Sequence, residues 1–134
     1  LDHWANAAVG FLALIVMLCR FTRNMFRDSA RAFAGDEMAL ALSLRCVERK
    51  YLDADKPSYC QFMLMPMMHS EDIGIQEMSL PLFERYTSKL TYDFAVKHRD
   101  IIARFERFPH RNAMLGRPSS RNEDQFLTQP GSSF

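Results

Sequence analysis

The chain has few cysteines and little excess of charge of either sign. Its 134 residues include three cysteines, Cys19, Cys46 and Cys60, which have no short metal-ligand spacing and cannot all pair with one another. We therefore expect buried free thiols and a cytoplasmic location. Lys and Arg number 17 against 16 Asp and Glu, a net charge of +1, whereas a nucleic-acid-binding domain usually carries a marked basic excess. The composition predicts no nucleic-acid partner.

A long apolar run is also lacking. The longest, residues 7–19 (AAVGFLALIVMLC), is shorter than the roughly 20 residues of a membrane span, and Arg20 and Arg23 follow it. The first residues contain no basic leader and no small-residue cleavage site. We therefore expect no membrane partner and interpret this run as a core helix that is apolar all round.

No segment alternates with the two-residue period of a half-buried strand, so the predicted class is all-α. A chain of 134 residues, 48% of them hydrophobic, is long enough for one packed core, and we expect a single domain over residues 1–134. Short connections between helices favour antiparallel pairs, stacked as a bundle or a short solenoid.

Six helices are expected from the apolar periodicity and the turn residues. The first covers residues 3–25. The second begins at Asp28 or Ser29 and continues to about residue 50, with Gly35 as its weak point. The third begins at Pro57 and is interrupted at Pro66.

The remaining three helices carry clearer capping signals. Ser70 is the predicted N-cap of the fourth helix, which Pro81 should kink and whose apolar stripe contains Ile73, Leu80, Phe83 and Leu90. The fifth should end near Arg107, because Pro109 forces Phe108 towards an extended conformation, and it carries Phe94, His98, Ile101, Ile102 and Phe105 on one face. Ser120 and Glu123 form a capping box for the last.

The first candidate site is the turn that contains His69, Glu71 and Asp72, followed one helical turn later by Gln76. A histidine beside a carboxylate is the arrangement that general-base catalysis uses, because the carboxylate orients and stabilises the imidazolium. The structural alternative is a capped helix start whose acidic side chains are solvated.

The second candidate site is the arginine-rich segment RFERFPHRNAMLGR, residues 104–117. Backbone amides of a short helix beginning near Arg111 and Asn112, together with guanidinium groups, would suit a phosphate or carboxylate. In the structural alternative, Arg107 and Arg111 form ion pairs with the acidic residues of the HSED turn, Glu71 and Asp72, and the nearby phenylalanines lie in the core. Either way, we expect the HSED turn and the FPHRN turn to meet.

Metal and nucleic-acid sites are not expected. His69, His98 and His110 are candidates to converge, but no spacing typical of metal ligands supports a metal or another cofactor. The phenylalanines fit an inward-facing stripe better than a base-stacking surface.

Several phrases together resemble a known bacterial family: LALIVML leading into RNMFR, ARAFAGDEMALAL, MPMMHSEDIGIQE and HRDIIARFERFPHRNAMLGR. This is domain-of-unknown-function family 924, and the resemblance implies a tetratricopeptide-like, right-handed array of helix pairs. Family members usually have further helical sequence before this point, so an N-terminal segment is expected to be lacking. Cys19 and Arg20 stand where the family typically has Asp and Gln, and Glu106 where it has Gly. The family implies no activity.

We predict a non-catalytic interaction or ligand-binding module whose partner is a protein, a peptide or a small anionic ligand. An uncovered apolar face would also favour a homo-oligomer. The alternative is a small hydrolase acting on an anionic substrate, with His69 or His110 as general base and arginines holding the anion. The candidate ligand-binding residues are Arg23, Asn24, Arg27, His69, Asp72, Gln76, His98, Arg107, His110, Arg111, Asn112 and Arg117.

Overall fold

Helices are the regular structure of this chain, and no strand occurs within residues 2–134, so the all-α prediction is confirmed. The computed structural model describes the backbone of these residues and the side chains from Ala7 onwards. The expectation about a leader concerns residues 1–4, outside the described side chains. The α-helices are α1 (Asp2–Val16), α2 (Thr22–Met25), α3 (Asp36–Glu48), α4 (Pro57–Met68), α5 (Ile73–Tyr86), α6 (Lys89–Phe105), α7 (Asn112–Leu115) and α8 (Arg121–Leu127).

A π-helical turn, Met17–Phe21, joins α1 to α2, so the backbone is helical from residue 2 to residue 25, as predicted. The expectation of a core helix is wrong for one side of it. Ile15 and Cys19 are buried, whereas Leu14 and Phe21 are about half exposed. By length and composition alone Ala7–Met25 would suffice to cross a bilayer, and only 17% of its most apolar window is buried in this fold. The helix therefore has one core-facing side and one uncovered apolar side.

The second predicted helix is divided in two. Ser29 accepts a hydrogen bond from the Arg31 amide and caps only a 3-10 turn, Ala30–Phe33, and α3 begins after Gly35. Gly35 lies tightly against α1 and its π turn, since a Cβ atom there would be 2.8 Å from the carbonyl oxygen of Leu18. This close approach of two backbones fixes the position of the break.

Proline and capping signals were correct at some helix ends and wrong at others. Pro57 occupies the first turn of α4, as predicted, but Pro66 lies within α4, which continues to Met68. The N-cap of α5 is Asp72 rather than Ser70, because Asp72 Oδ1 accepts hydrogen bonds from the amides of residues 74 and 75 at 2.7 and 3.2 Å. Ser120 caps α8 by accepting from the amide of residue 123, as predicted.

The predicted apolar stripes are correct near the core and wrong at their ends. Phe83 is fully buried, but Ile73 and Leu90 are exposed, because α5 ends at residue 86 and Leu90 belongs to the next helix. On α6 the buried members include His98 and Ile102, whereas Phe94 is about half exposed.

The core is formed by consecutive helices, since α3 packs on α1 and α4, α4 on α5, and α5 on α6. Its buried residues include Ile15, Cys46, Met63, Leu64 and Phe83. A smaller cluster of Ile101, Ile102 and Phe108 lies at the end of α6, beside the FPHRN turn. Contacts between successive helices are those of stacked helix pairs; the right-handed tetratricopeptide-like arrangement stays a prediction.

Candidate functional site

The HSED and FPHRN turns meet, as predicted, and Glu71 is one of the residues that join them. Its Oε1 accepts the backbone N–H of Phe108 at 2.9 Å, and its carboxylate receives both terminal nitrogens of Arg117 at 2.8 and 3.0 Å. Burial alone would raise the pKa of Glu71, but these hydrogen bonds lower it below its usual value. The contact therefore joins the α4–α5 turn to the segment after α6.

The predicted ion pairs of Arg107 and Arg111 with Glu71 and Asp72 are wrong. Arg107 instead pairs with Glu123 of α8 at 3.0 and 3.2 Å, and Glu123 also accepts from Asn112 Nδ2 at 2.6 Å. The sequence pattern of a helix as short as α8 does not determine which of its residues face the rest of the fold. Glu123 was therefore not predicted as the partner of Arg107.

Five of the predicted ligand-binding residues therefore have structural partners. Asp72 is an exposed cap, and Gln76 is fully buried, with Nε2 donating to the carbonyl oxygens of Met68 and Ser70 at 2.7 Å each. The other three are Arg107, Asn112 and Arg117, which bind the two glutamates.

Two further arginines, Arg23 and Arg111, lie beside the contact between the two turns. One carboxylate, that of Asp36, lies between them. Arg23 Nη2 lies 3.0 Å from Asp36 Oδ2, and Arg111 Nη1 lies 3.8 Å from the same oxygen. Arg111 is 6% exposed, and its Nη2 donates to the carbonyl oxygen of His69 at 3.0 Å. The two guanidinium groups also lie over the ring of Phe33. Two cations sharing one carboxylate leave this interior region positively charged.

Three histidines surround the arginines. The rings of His69 and His98 are 6.1 Å apart, and His98 Nδ1 lies 2.7 Å from the carbonyl oxygen of Phe94. Burial first, and the neighbouring arginines second, hold the pKa of His69 well below its usual value. For His98 and His110 the same causes lower the pKa to about 4, although the Phe94 carbonyl partly opposes this for His98. All three rings are therefore neutral at pH 7, and folding is progressively weakened as the pH falls below about 6.5.

Unpaired buried nitrogens are concentrated here. Within the described part of the chain, five buried side-chain nitrogen or oxygen atoms have no hydrogen-bond partner. One is the amide oxygen of Gln76, and the other four are Arg23 Nε, His69 Nδ1, His110 Nδ1 and Arg111 Nε. Since buried polar atoms are normally paired, four such atoms on neighbouring residues call for a partner from outside the chain.

Three clefts open around these residues. The first, of about 280 Å³, we call the acid-free cleft, and it is lined by Cys19, Arg20, Arg23, Asn24, Met65 and His69. The second, of about 200 Å³, we call the aromatic cleft, and it is lined by Arg23, Arg27, Asp28, Ala32, Phe33, His110, Met114 and Phe134. The third, of about 230 Å³, is lined by Arg111 and His69 but also by three acidic residues, Asp36, Glu37 and Glu71.

The structure thus brings together six of the predicted ligand-binding residues at the first two clefts or directly between them: Arg23, Asn24, Arg27, His69, His110 and Arg111. His98 lies one ring away, 3.8 Å from Phe134 between ring centroids. Sequence reasoning missed Arg20, Asp36, Phe33 and Phe134. Arg20 had a signal, because it replaces a residue of another type in the family pattern, and it lies on a π-helical turn, a feature frequent at functional sites.

Histidines are also potential metal ligands. No group of three or more His, Cys, Asp or Glu side chains placed to hold a metal ion occurs among the residues described. The first two clefts present guanidinium groups, which are hydrogen-bond donors.

Comparison with known proteins finds one matching family by sequence and one similar solved structure. The model of a family described as "Bacterial protein of unknown function (DUF924)" matches residues 1–131. A solved structure, that of the protein of unknown function ATU0120 from Agrobacterium tumefaciens, is similar with a TM-score of 0.85 and 36% sequence identity. The similarity covers 94% of this chain and 71% of that one. No curated protein matches the sequence.

Proposed function

The chain belongs to the bacterial protein family DUF924, and we propose that this member is a non-catalytic domain that binds a small anion, a phosphate or a carboxylate, in the acid-free cleft. The observation that carries the proposal is the lining of that cleft. Two arginines, an asparagine and a histidine line it, and none of its six described lining residues is acidic. A cleft with such a lining has a positive potential and several hydrogen-bond donors.

His69 supplies a donor of a different kind. Its ring is neutral at pH 7, since burial and Arg23 lower its pKa, so it adds no repulsion to the arginines. Its buried Nδ1 has no partner within the described chain. A neutral imidazole donates one hydrogen bond, and an anion oxygen in the cleft would accept it.

Cys19 and Met65 give the acid-free cleft an apolar part, which strengthens charge-assisted hydrogen bonds to an anion. Cys19 is buried, and burial raises the pKa of its thiol to about 11, so it lines the cleft as a neutral group rather than as a competing thiolate. Together with Met65 it lowers the local polarity, which strengthens the attraction between the arginines and an anion.

The test is thermal unfolding with inorganic phosphate, comparing the native chain with Arg20→Gln. Phosphate at 100 times its Kd would stabilise the native chain by about 2.7 kcal/mol, a rise in Tm of several degrees. Arg20→Gln should lose most of that rise, because it removes one of two cations from the cleft.

Arg31→Gln is the matched control, since Arg31 is an exposed arginine on the following 3-10 turn and does not line the cleft. Phosphate also stabilises proteins non-specifically, so the comparison between variants decides the outcome. An equal rise in Tm for the native chain and both variants would contradict the proposal.

A second candidate function is hydrolysis of an anionic ester. The observation that favours it is the position of His69 and His110, which line the two clefts beside arginines that would hold the substrate. Release of p-nitrophenol from p-nitrophenyl phosphate, lost in His110→Gln and retained in Arg31→Gln, would support it. Phosphate binding without turnover supports the non-catalytic module.

The broader predictions are part of the same proposal. We propose that the domain is a cytoplasmic binding module whose helix pairs form a tetratricopeptide-like repeat array. The three cysteines are free and buried, which suits a reducing compartment, and successive helices pack on one another as such an array requires.

A further inference from the structure

The aromatic cleft shares Arg23 with the acid-free cleft but differs from it in chemistry. Its charged part comprises two arginines, Arg23 and Arg27, against one carboxylate, Asp28, and its apolar part includes Phe33, Met114 and Phe134. We propose that this cleft is a distinct binding site for an organic anion that carries one aromatic ring, an aryl carboxylate or an aryl phosphate. The proposal does not require that the acid-free cleft binds phosphate.

The size of the cleft limits the ligand to one ring. Its volume is about 200 Å³. An engineered apolar cavity of about 150 Å³ holds one benzene molecule, so this cleft accommodates a benzene ring together with a carboxylate or phosphate group. A nucleotide, with its base, sugar and phosphate, is too large.

Phe134 provides the surface for the aromatic ring. Its own ring is fixed by other rings, with centroid distances of 3.8 Å to His98, 4.9 Å to His110 and 5.6 Å to Phe108. Phe134 is nevertheless 53% exposed, so about half of its surface has no protein contact. A fixed but half-uncovered aromatic side chain is a stacking surface for a planar ligand, because aromatic pairs gain more than area burial alone.

The donors of the cleft suit an anion. Arg27 is exposed, and Nη2 donates a hydrogen bond to Asn24 Oδ1 at 3.3 Å, which leaves most of its guanidinium available. His110 Nδ1 is buried without a partner within the described residues, and His110 lines the same cleft. A ligand that is both anionic and aromatic uses the arginines, this imidazole and the apolar residues together, whereas inorganic phosphate would leave the apolar residues uncovered.

Isothermal titration with four probes tests the proposal: phenyl phosphate, benzoate, inorganic phosphate and benzyl alcohol. Phenyl phosphate should bind about tenfold or more tightly than inorganic phosphate, because burial of the ring adds apolar contact. It should exceed benzyl alcohol by a similar factor, because the alcohol lacks the charge. Benzoate should also bind more tightly than benzyl alcohol.

Variants locate the site. Arg27→Gln should weaken phenyl phosphate about fivefold to tenfold, because Arg27 lines the aromatic cleft and not the acid-free cleft. Phe134→Ala should reduce the advantage of phenyl phosphate over inorganic phosphate. Arg31→Gln, the matched change of an exposed arginine outside both clefts, should leave the affinity for phenyl phosphate unchanged.

Each remaining outcome has a distinct meaning. Equal affinities for phenyl phosphate and inorganic phosphate overturn the aromatic site and leave the proposed function standing. Weakening of phenyl phosphate by Arg20→Gln but not by Arg27→Gln places it in the acid-free cleft and overturns the inference. Equal binding of benzyl alcohol shows an apolar site with no anion preference, which also overturns it. Absence of binding by phenyl phosphate, benzoate and inorganic phosphate alike rejects this inference and the proposed function together.

Discussion

Individual charged residues divide into those that hold the fold and those left with unpaired donors. Glu71 and Arg117 are each about three-quarters buried as side chains and bond bidentately, and Glu71 also holds the Phe108 amide. Arg23 and Arg111, by contrast, share Asp36 and retain unpaired Nε atoms within the described structure. The same residue type therefore serves stability at one position and has capacity for a ligand at another.

The Glu71–Arg117 pair should show strong energetic coupling. Arg117→Gln should destabilise the chain by about 2–3 kcal/mol, because it leaves a partly buried carboxylate without its cation. In a double-mutant cycle with Glu71→Gln, measured by urea unfolding, we expect a coupling energy of about 1–3 kcal/mol.

A second cycle, Asp72→Asn with Arg111→Gln, is the control. The sequence suggested coupling for that pair, but Asp72 caps α5 and Arg111 contacts the His69 carbonyl. Its two changes should therefore be additive. Strong coupling in this control cycle, or additivity for Glu71 and Arg117, would contradict the assignment of Glu71 and Arg117 as the ion pair between the two segments.

Most residues of the candidate site could be predicted from the sequence, but the ion pairs that they form could not. Complementary charges on the HSED and FPHRN turns were enough to predict that the turns meet. The choice among four arginines within fourteen residues was not, since it depends on where Asp36 and Glu123 are presented by α3 and α8. Arg20 was noted as the end of an apolar run and as a departure from the family pattern, but neither observation identified it as a site residue.

Some helix ends could be predicted from the local sequence, whereas others depend on tertiary contacts. Pro57 and Ser120 were interpreted correctly, because a first-turn proline and a serine cap act within a few residues of the helix they start. The division of the second predicted helix at Gly35 depends on its contact with Leu18, seventeen positions earlier, and no local pattern contains that contact.

Two glycines in helical backbone should therefore respond oppositely to alanine. Gly35→Ala should destabilise the chain by about 1–3 kcal/mol, because its Cβ would lie 2.8 Å from the Leu18 carbonyl oxygen and backbone must move. Gly10→Ala should stabilise by about 0.5–1 kcal/mol, since nothing lies within 4 Å of the added Cβ and alanine is the better helix former.

Urea unfolding of both variants checks this pair, with Gly10→Ala as the internal control for intrinsic propensity. If Gly35→Ala proved as stable as the native chain, the tight approach between Gly35 and Leu18 would be refuted. The same result would show that the approach of Gly35 to Leu18 does not determine where α3 begins.

The molecule as a whole has an apolar surface that its own core does not use. On the helical segment that contains α1 and α2, five large apolar side chains are 49–61% exposed: Val9, Leu14, Met17, Phe21 and Met25. The last four recur at intervals of three or four residues, so they form one stripe along the helix. A contiguous apolar stripe on a folded domain is typical of an association surface.

The free energy gained by burying this stripe, compared with the cost of association, favours a weak dimer over a permanent one. Fully burying one large apolar side chain gains roughly 1.5–3 kcal/mol, so five half-covered ones gain on the order of 4–8 kcal/mol per chain. Association itself costs an estimated 4–15 kcal/mol or more in lost freedom. Two such stripes gain on the order of 8–16 kcal/mol, which is close to that cost, so the net affinity is weak.

We therefore expect reversible self-association through this stripe, visible by sedimentation as a rise in average mass with concentration. Leu14→Glu should shift the chain to monomer, because two charges would be brought into the contact. Leu90→Glu is the matched control: Leu90 is 67% exposed but lies on α6, so that variant should associate like the native chain. Membrane binding is the rival use of the same helix and predicts flotation with lipid vesicles, abolished by Leu14→Glu. A native chain that stays monomeric at millimolar concentration and does not float with vesicles would show that the stripe serves neither purpose.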